Sequence, residues 1–412
     1  MKQIITSLDI GTSTIKLVVG EIYNKKLNVL ACSEVKSKGV KKGLIVNPEL
    51  AFESLTEVFK KCEEILEIKI KNVIVCVPSY YAEFELCEGY TTITRESGLV
   101  NGEDIVRALQ ASVYNKVPNN KELISIMPIE YIINETDVVK DPKNMSASRL
   151  TIKSIISLTP KKNVYALISI LDNMGIKVSD ICFNSIGDYH EFRTNNMEDK
   201  QCAVVNIGDE KTEVSIISND ALIATEVLEI GGKDIDKEIM YAYSVDRKTA
   251  IDLKENFALA FKSNAATSEI IEVINKNGEK IKVNQYEITE FVYEKLKEIL
   301  EITKKQINLL TKKENSYIII TGGTTELINS KEAIENVYGK TAIIGNVTEL
   351  GVRNNKFSSA LGIIKYYYRK LDFRKKKATT MTNEEIDILF NNKKKNTNNT
   401  ILGKIFGYFF DN

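Results

Sequence analysis

The chain has 412 residues, 43% hydrophobic and 27% charged, enough for two or more domains with their own cores. Lys plus Arg and Asp plus Glu balance at 56 each, so no overall field favours nucleic acid, and no nucleic-acid partner is expected. Six scattered cysteines without a CxxC pair exclude the usual metal-site spacing, and the one histidine, His190, is expected to be structural and neutral.

Residues 4–22 predict two strands joined by a Gly-Thr-Ser turn, and "LNVLACSEV" a third. In "NPELAFESLTEVFKKCEEIL" the spacing of Leu50, Leu55, Val58, Phe59, Cys62 and Leu66 predicts a helix, with Asn47 as N-cap and Pro48 in its first turn. "NVIVCVPSYYAEF" reads as a buried strand. From 84 to 160, Gly89, Gly98, Gly102, Pro118, Pro128, Pro142 and Pro160 punctuate short strands around one helix, "NGEDIVRALQASVY". This span is expected to be a small inserted subdomain. A helix, "NVYALISILDNMG", then ends at Gly175. A strand and a short helix lead to a second hairpin at 202–217, followed by a strand, a Gly231-Gly232 turn and a helix. A long helical pattern covers Tyr286 to Leu310. "SYIIITGGTTELINS" reads as strand, glycine pair and helix start, and "KFSSALGIIKYYYRK" as the last core helix. No secretory h-region opens the chain and no apolar run approaches the ~20 residues that span a bilayer, so a cytosolic protein is expected, compatible with peripheral membrane binding.

The two hairpins resemble each other. In "SLDIGTSTIKLVV" and "VVNIGDEKTEVSII", Leu8 matches Val205, Asp9 matches Asn206, Ile10 matches Ile207 and Gly11 matches Gly208. Two such units and a later strand–Gly-Gly–helix suggest two similar halves facing a nucleotide. Tight turns at Gly11 and Gly208 let backbone N–H groups approach phosphate oxygens. Asp9 is placed to hold magnesium through water. Gly322 and Gly323 permit close backbone approach to a ligand, with Thr324 or Thr325 expected to cap the next helix.

These motifs resemble the actin-like ATPase superfamily. More closely, the chain is similar to the FtsA family of bacterial division proteins, through "SLDIGTSTIKLVVGEI", "GVKKGLIVNPE", "EDIVRAL", "DPKNMSASRLTI", "EIGGKDID", "IIITGGTTELI" and "FSSALGIIKYYY". The resemblance implies an α/β, actin-like two-lobed fold with an inserted α+β subdomain and a C-terminal amphipathic helix. Its parts would be 1–83 and 161–200 in the first lobe, 84–160 as the insertion, 201–370 in the second lobe, 371–399 as a flexible linker and 400–412 as a membrane-targeting helix. It implies ATP with Mg2+ as cofactors, held by Asp9, Gly11, Thr12, Ser13, Thr14 and Lys16 in the first half. In the second half the ligand set would be Asn206, Gly208, Lys211, Thr212, Gly231, Gly232, Lys254, Gly322, Gly323 and Thr324, with Asp9 at the metal. It also implies an adaptor at the division site, peripheral on the inner membrane face. The implied partners are the FtsZ C-terminal tail, further copies of the chain in a filament, anionic lipids and other divisome proteins. A pilus-assembly adaptor of similar fold, or a phosphoryl-transferring enzyme of the superfamily, is the alternative.

The chain departs from the family pattern D-x-G-x-G-T-T at its second hairpin, where Asn206, Asp209, Glu210 and Lys211 stand. Asn206 brings no charge to a metal, and like charges ~4 Å apart cost about 1 kcal/mol in water and about 4 at an effective dielectric of 20. Lys211 is expected to turn inward and offset part of this. In the ribose segment "TAIDLKENF", Ala250 and Lys254 fit the family pattern while Ile251 replaces its glutamate. At most a weak ATPase is expected, with no catalytic residue assigned.

In the terminal "TILGKIFGYFFD", helical spacing puts Ile401, Leu402, Ile405, Phe406 and Phe409 on one face, with Lys404 opposite. Burial of five large side chains allows on the order of 10 kcal/mol before folding and immobilisation subtract. Lys393, Lys394, Lys395 and Lys404 would each add about 1 kcal/mol at an anionic surface. Those magnitudes fit reversible anchoring and not spanning.

Overall fold

The computed structural model describes residues 3–373 and 377–398. In the first lobe β1 (Gln3–Ile10), β2 (Thr14–Tyr23) and β3 (Lys26–Lys36) form an antiparallel meander, followed by a small ribbon of β4 (Val40–Lys41) and β5 (Leu44–Ile45). Helix α1 (Pro48–Leu66) starts as its sequence predicts. The Asn47 side chain accepts from the Leu50 N–H at 3.2 Å, Pro48 occupies the first turn, and Leu55, Val58, Phe59, Cys62 and Leu66 are buried, while Leu50 stays exposed. The apolar run at 72–84 is not one strand. It ends as β6 (Asn72–Val77), parallel to β1, because Pro78 lacks the N–H to continue the ladder.

The insertion follows: β7 (Glu83–Thr92), α2 (Gly102–Val113), β8 (Lys121–Ile133), β9 (Asp137–Val139) and β10 (Arg149–Pro160), in sheet order β7-β10-β8-β9. Helix α2 is fixed by a capping box in which Asn101 accepts from the Asp104 N–H and Asp104 from the Asn101 N–H. The first lobe resumes with α3 (Lys162–Asn173), β11 (Lys177–Phe183) and α4 (Asn184–Phe192). Gly175, with φ +73°, turns the chain out of α3 as expected.

The second lobe has β12 (Gln201–Ile207), β13 (Thr212–Ser218), β14 (Ala221–Leu228), α5 (Gly232–Tyr243) and α6 (Arg247–Asp252). A two-stranded ribbon, β15 (Ile270–Ile274) with β16 (Lys280–Asn284), precedes α7 (Gln285–Leu310), β17 (Tyr317–Thr321), α8 (Ser330–Tyr338) and β18 (Ala342–Ile344). The sheet orders β3-β2-β1-β6-β11 and β14-β13-β12-β17-β18 are the same plan twice, a meander extended by two parallel strands. The hairpin turns also match. Gly11 N donates to Thr14 O at 3.0 Å, and Gly208 N donates to Lys211 O at 2.9 Å. Among the described residues, no helix is long and apolar enough to cross a membrane.

Two segments depart from expectation. Helix α9 (Ser358–Phe373), expected with the second lobe, returns to the first and lies against β1 and α4. Gly187 and Gly362 meet back to back there, and a Cβ on either would overlap backbone of the other helix. The Ser7 hydroxyl donates to Ala360 O at 2.7 Å at the same contact. The segment 371–399, expected to be a flexible linker, instead packs in its described part and carries α10 (Asn383–Asn398). Strand β6 pairs with β1 only at Ser7 to Asp9, so the first half of that edge is open. Thr380 N fills it by donating to Ile4 O at 2.8 Å, and Thr6 N donates to the Thr380 hydroxyl at 2.9 Å. Ala378, Ile386 and Leu389 are buried in the first lobe's core, and Phe390 packs against it. These few apolar residues outweigh the polar composition around them.

Candidate functional site

The hairpin turns of the two lobes face each other, and α4 reaches both. On the first, Asp9 is buried beside its ladder partner Lys16, whose Nζ donates to Oδ2 at 3.0 Å. Asn184, at the start of α4, donates to Asp9 Oδ1 at 2.8 Å. On the second, Asn206 holds the place equivalent to Asp9, and its Nδ2 donates to Asp188 Oδ2 at 2.6 Å. The other oxygen of Asp188 accepts from the hydroxyls of Ser358 at 2.6 Å and Ser359 at 2.8 Å. Complete burial pushes the Asp188 carboxyl up to about 6, against the opposing pull of these donors.

This arrangement explains the amide at 206. A carboxylate there would stand 2.6 Å from Asp188 with no donor between them. The neutral amide satisfies that buried acid and turns its own oxygen towards the glycine pair. Asn184 and Asp188 are one turn apart on α4, so one short helix holds both hairpins. Neither residue was expected from the sequence. The available signal was the spacing of two polar groups on the inward face of a helix that directly follows a parallel strand.

The expected glycines cluster around the second turn. Gly322 has φ +103°, and a Cβ there would come within 2.5 Å of Asn206 Oδ1. Gly232 N donates to Gly208 O at 2.9 Å, and the Thr324 hydroxyl donates to the same carbonyl at 3.0 Å. A Cβ on Gly231 would press 2.6 Å from Gly208 O, whereas Gly323 borders open space, with Lys356 Cβ 3.8 Å away. Thr325 donates to Gly322 O at 2.8 Å in a single 3-10 turn. Helix α8 begins only at Ser330, so neither Thr324 nor Thr325 caps it. Thr212 turns from the turn region and donates to Ile230 O at 2.7 Å. Lys254 is buried against Asp236, 2.6 Å from Oδ1, with Gly232 O at 3.4 Å.

The acidic second loop is neutralised differently from expectation. Lys211 reaches Glu213, 3.3 Å from Oε2, rather than Asp209 or Glu210. Glu210 pairs with Lys233, and Arg247 holds Asp209 with its Nη2 at 3.1 and 3.0 Å from the two oxygens. The Ser13 hydroxyl donates to Asp209 Oδ2 at 2.5 Å, tying the tip of one hairpin to the other. His190 is buried and neutral, its pKa lowered to about 3 by burial, in ring contact with Tyr189 and Tyr366.

The residues fit a polyphosphate in part. Lys16 is a buried cation, and the Thr12 hydroxyl is buried among the loops without a partner. Glu213 Oε1 is equally unpartnered. The fit to a directly bound magnesium is poorer. Both Asp9 oxygens are engaged, and among the described residues no group of three or more His, Cys, Asp or Glu side chains could hold a metal ion. Only a hydrated ion reached through water suits Asp9. The expected membrane face, Ile401, Leu402, Lys404, Ile405, Phe406 and Phe409, lies outside the described residues.

Comparison with known proteins covers most of the chain. The family described as "Cell division protein FtsA" matches residues 203–362, and "SHS2 domain inserted in FTSA" matches residues 81–157. The cell division protein FtsA of Bacillus subtilis is 25% identical over 370 residues, covering 89% of this chain and 84% of that protein. That of Enterococcus hirae is 24% identical over 362 residues, covering 87% and 82%. A PilM-PilN type IV pilus biogenesis complex superposes with a TM-score of 0.57 at 14% identity, over 87% of this chain and 96% of that one. MreB5 of Spiroplasma citri bound to ADP gives 0.54 at 14% identity, over 90% and 98%. At that identity the two structures show the actin-like fold alone.

Proposed function

The chain belongs to the FtsA family of cell division proteins, and from that premise we propose that it is an actin-like adaptor that binds ATP between its lobes, self-associates into filaments and tethers FtsZ to the cytoplasmic membrane. The observation that carries the nucleotide reading is the duplicated hairpin, two glycine turns of equal length presented face to face by two equivalent sheets. Gly11, Thr12, Ser13, Thr14 and Lys16 would bind phosphate from one side, and Gly208, Lys211 and Thr212 from the other. Gly231, Gly232, Lys254, Gly322, Gly323 and Thr324 would complete the nucleotide site, with Asn206 as a hydrogen-bond acceptor. Magnesium would be held as a hydrated ion near Asp9. Turnover would be slow, because the second hairpin offers an amide that is already donating to Asp188.

The membrane end of this function rests on residues 400–412, whose apolar face and neighbouring lysines suit an anionic surface. The partner end would be the FtsZ C-terminal tail, with other divisome proteins and a location on the inner membrane face at the division site. Co-sedimentation with anionic liposomes tests the tether, using the full chain and a chain truncated after Asn399, each with added FtsZ. Only the full chain should carry FtsZ down with the lipid. Equal sedimentation of the two would remove the anchor and with it the adaptor reading.

A further inference from the structure

The second hairpin carries an acid in its turn that meets the turn of the first, and that acid is already bound. Asp209 is one-fifth exposed, accepts the Ser13 hydroxyl at 2.5 Å from the opposite lobe, and pairs with Arg247 at 3.0 Å from its own. Its main chain is also fixed, since Lys233 N donates to Asp209 O at 2.8 Å at the start of α5. The carboxylate therefore has little freedom to leave by backbone motion. A hydroxyl from a glycine turn and a guanidinium from a helix start are the donors that phosphate oxygens recruit. Both are here satisfied by a side chain.

We propose that Asp209 is a built-in anion that occupies the Ser13 and Arg247 donors, so that a nucleotide's phosphates reach those donors only by displacing it. The inference rests on the reading that nucleotide binds between the hairpins. It adds the regulation of that site. The Asp209 carboxylate joins the two lobes through Ser13 and Arg247, and on this reading nucleotide exchanges one anion for another at those donors. Two charges follow different paths on displacement. Arg247 keeps a partner, because Asp236 Oδ2 is 3.5 Å from both its Nε and Nη2. Asp209 is left facing the incoming phosphate unless it turns to solvent. Neighbouring ties, Lys356 to Glu34 at 2.6 Å and Ser79 to Thr225 at 3.0 Å, join the same two lobes and would outlast the exchange.

The test compares the full chain with Asp209→Asn and Asp209→Ser. Fluorescent ATP is titrated with magnesium at low and high salt, and amide hydrogen exchange of residues 11–14 is followed without nucleotide. Both variants should bind ATP about tenfold tighter or better, the size of one like-charge contact removed. The gain should shrink as salt screens that contact. Exchange at 11–14 should rise in both nucleotide-free variants, because Ser13 has lost its charged acceptor. If ATP binds the variants no tighter than the parent chain and exchange is unchanged, the inference is overturned while nucleotide binding stands. If neither parent nor variants bind ATP at all, the nucleotide reading itself fails and takes this inference with it.

Discussion

A single amide at position 206 decides the charge at the junction of the lobes. Asn206→Asp would set a second carboxylate against Asp188 in a buried place, where like charges at ~4 Å cost about 1–4 kcal/mol and closer ones more. The Asp188 carboxyl, held up to about 6 by burial, is ionised in the folded protein above that value and protonated below it. In Asn206→Asp the lost amide donor and the added carboxylate both raise the pair's titration above that of Asp188 in the parent chain, so the repulsion grows as pH rises and is relieved as pH falls and one proton is shared. Thermal melts of the variant at pH 7.5 and 5 should show the deficit relative to the parent chain narrowing at the lower pH. A deficit independent of pH would mean that the two groups do not meet. The carboxylate was legible as missing from the second hairpin in sequence. Its replacement was not, because Asp188 lies 18 residues away on another element and reaches Asn206 only through the fold.

At the scale of elements, the segment after Lys370 shows how weak composition is against a few well-placed contacts. Its Lys and Asn content argues for a solvated linker, yet Thr380 completes the open edge of β1 and Leu389 is fully buried. Leu389→Ala should cost about 2–5 kcal/mol, the usual range for truncating a buried leucine, measured by chemical denaturation. A cost below about 0.5 kcal/mol would show that α10 does not rest on the lobe in solution. Glu385 adds a local tie, with Lys71 3.1 Å away and the Thr382 N–H donating to its carboxylate at 2.8 Å. The hairpins, by contrast, were legible as elements, since β-branched alternation and a glycine turn are local signals. The helix expected straight after Gly322-Gly323 was not. Thr325 closes a single turn on Gly322, and Asn355 Nδ2 draws the Thr325 hydroxyl and Gly345 O into a separate loop contact.

For the whole molecule, the first lobe is completed by the last described parts of the chain. Helix α9 and the strap at 377–390 belong to the same core as β1, so the ends of the described chain close on each other. Truncation after Phe373 should therefore lower the melting temperature and expose the β1 edge to aggregation, whereas truncation after Asn399 should leave the melting temperature unchanged within about 1 °C. Equal melting of the two truncated chains would place the strap outside the cooperative core. The second measurement also supplies the folded control needed for the liposome experiment.

By itself the sequence determined the local units and their repetition: two glycine hairpins, a helix capped at Asn47, and a composition suited to several cores. Those follow from periodicity, turn chemistry and side-chain capping, which act over a few residues. Tertiary structure alone decided that Asp188 satisfies Asn206, that Arg247 and Ser13 hold Asp209, and that α9 and the strap return to the first lobe. Each of these joins groups far apart in the chain, and each exists because a buried charge or an open strand edge must find a partner wherever the fold brings one near.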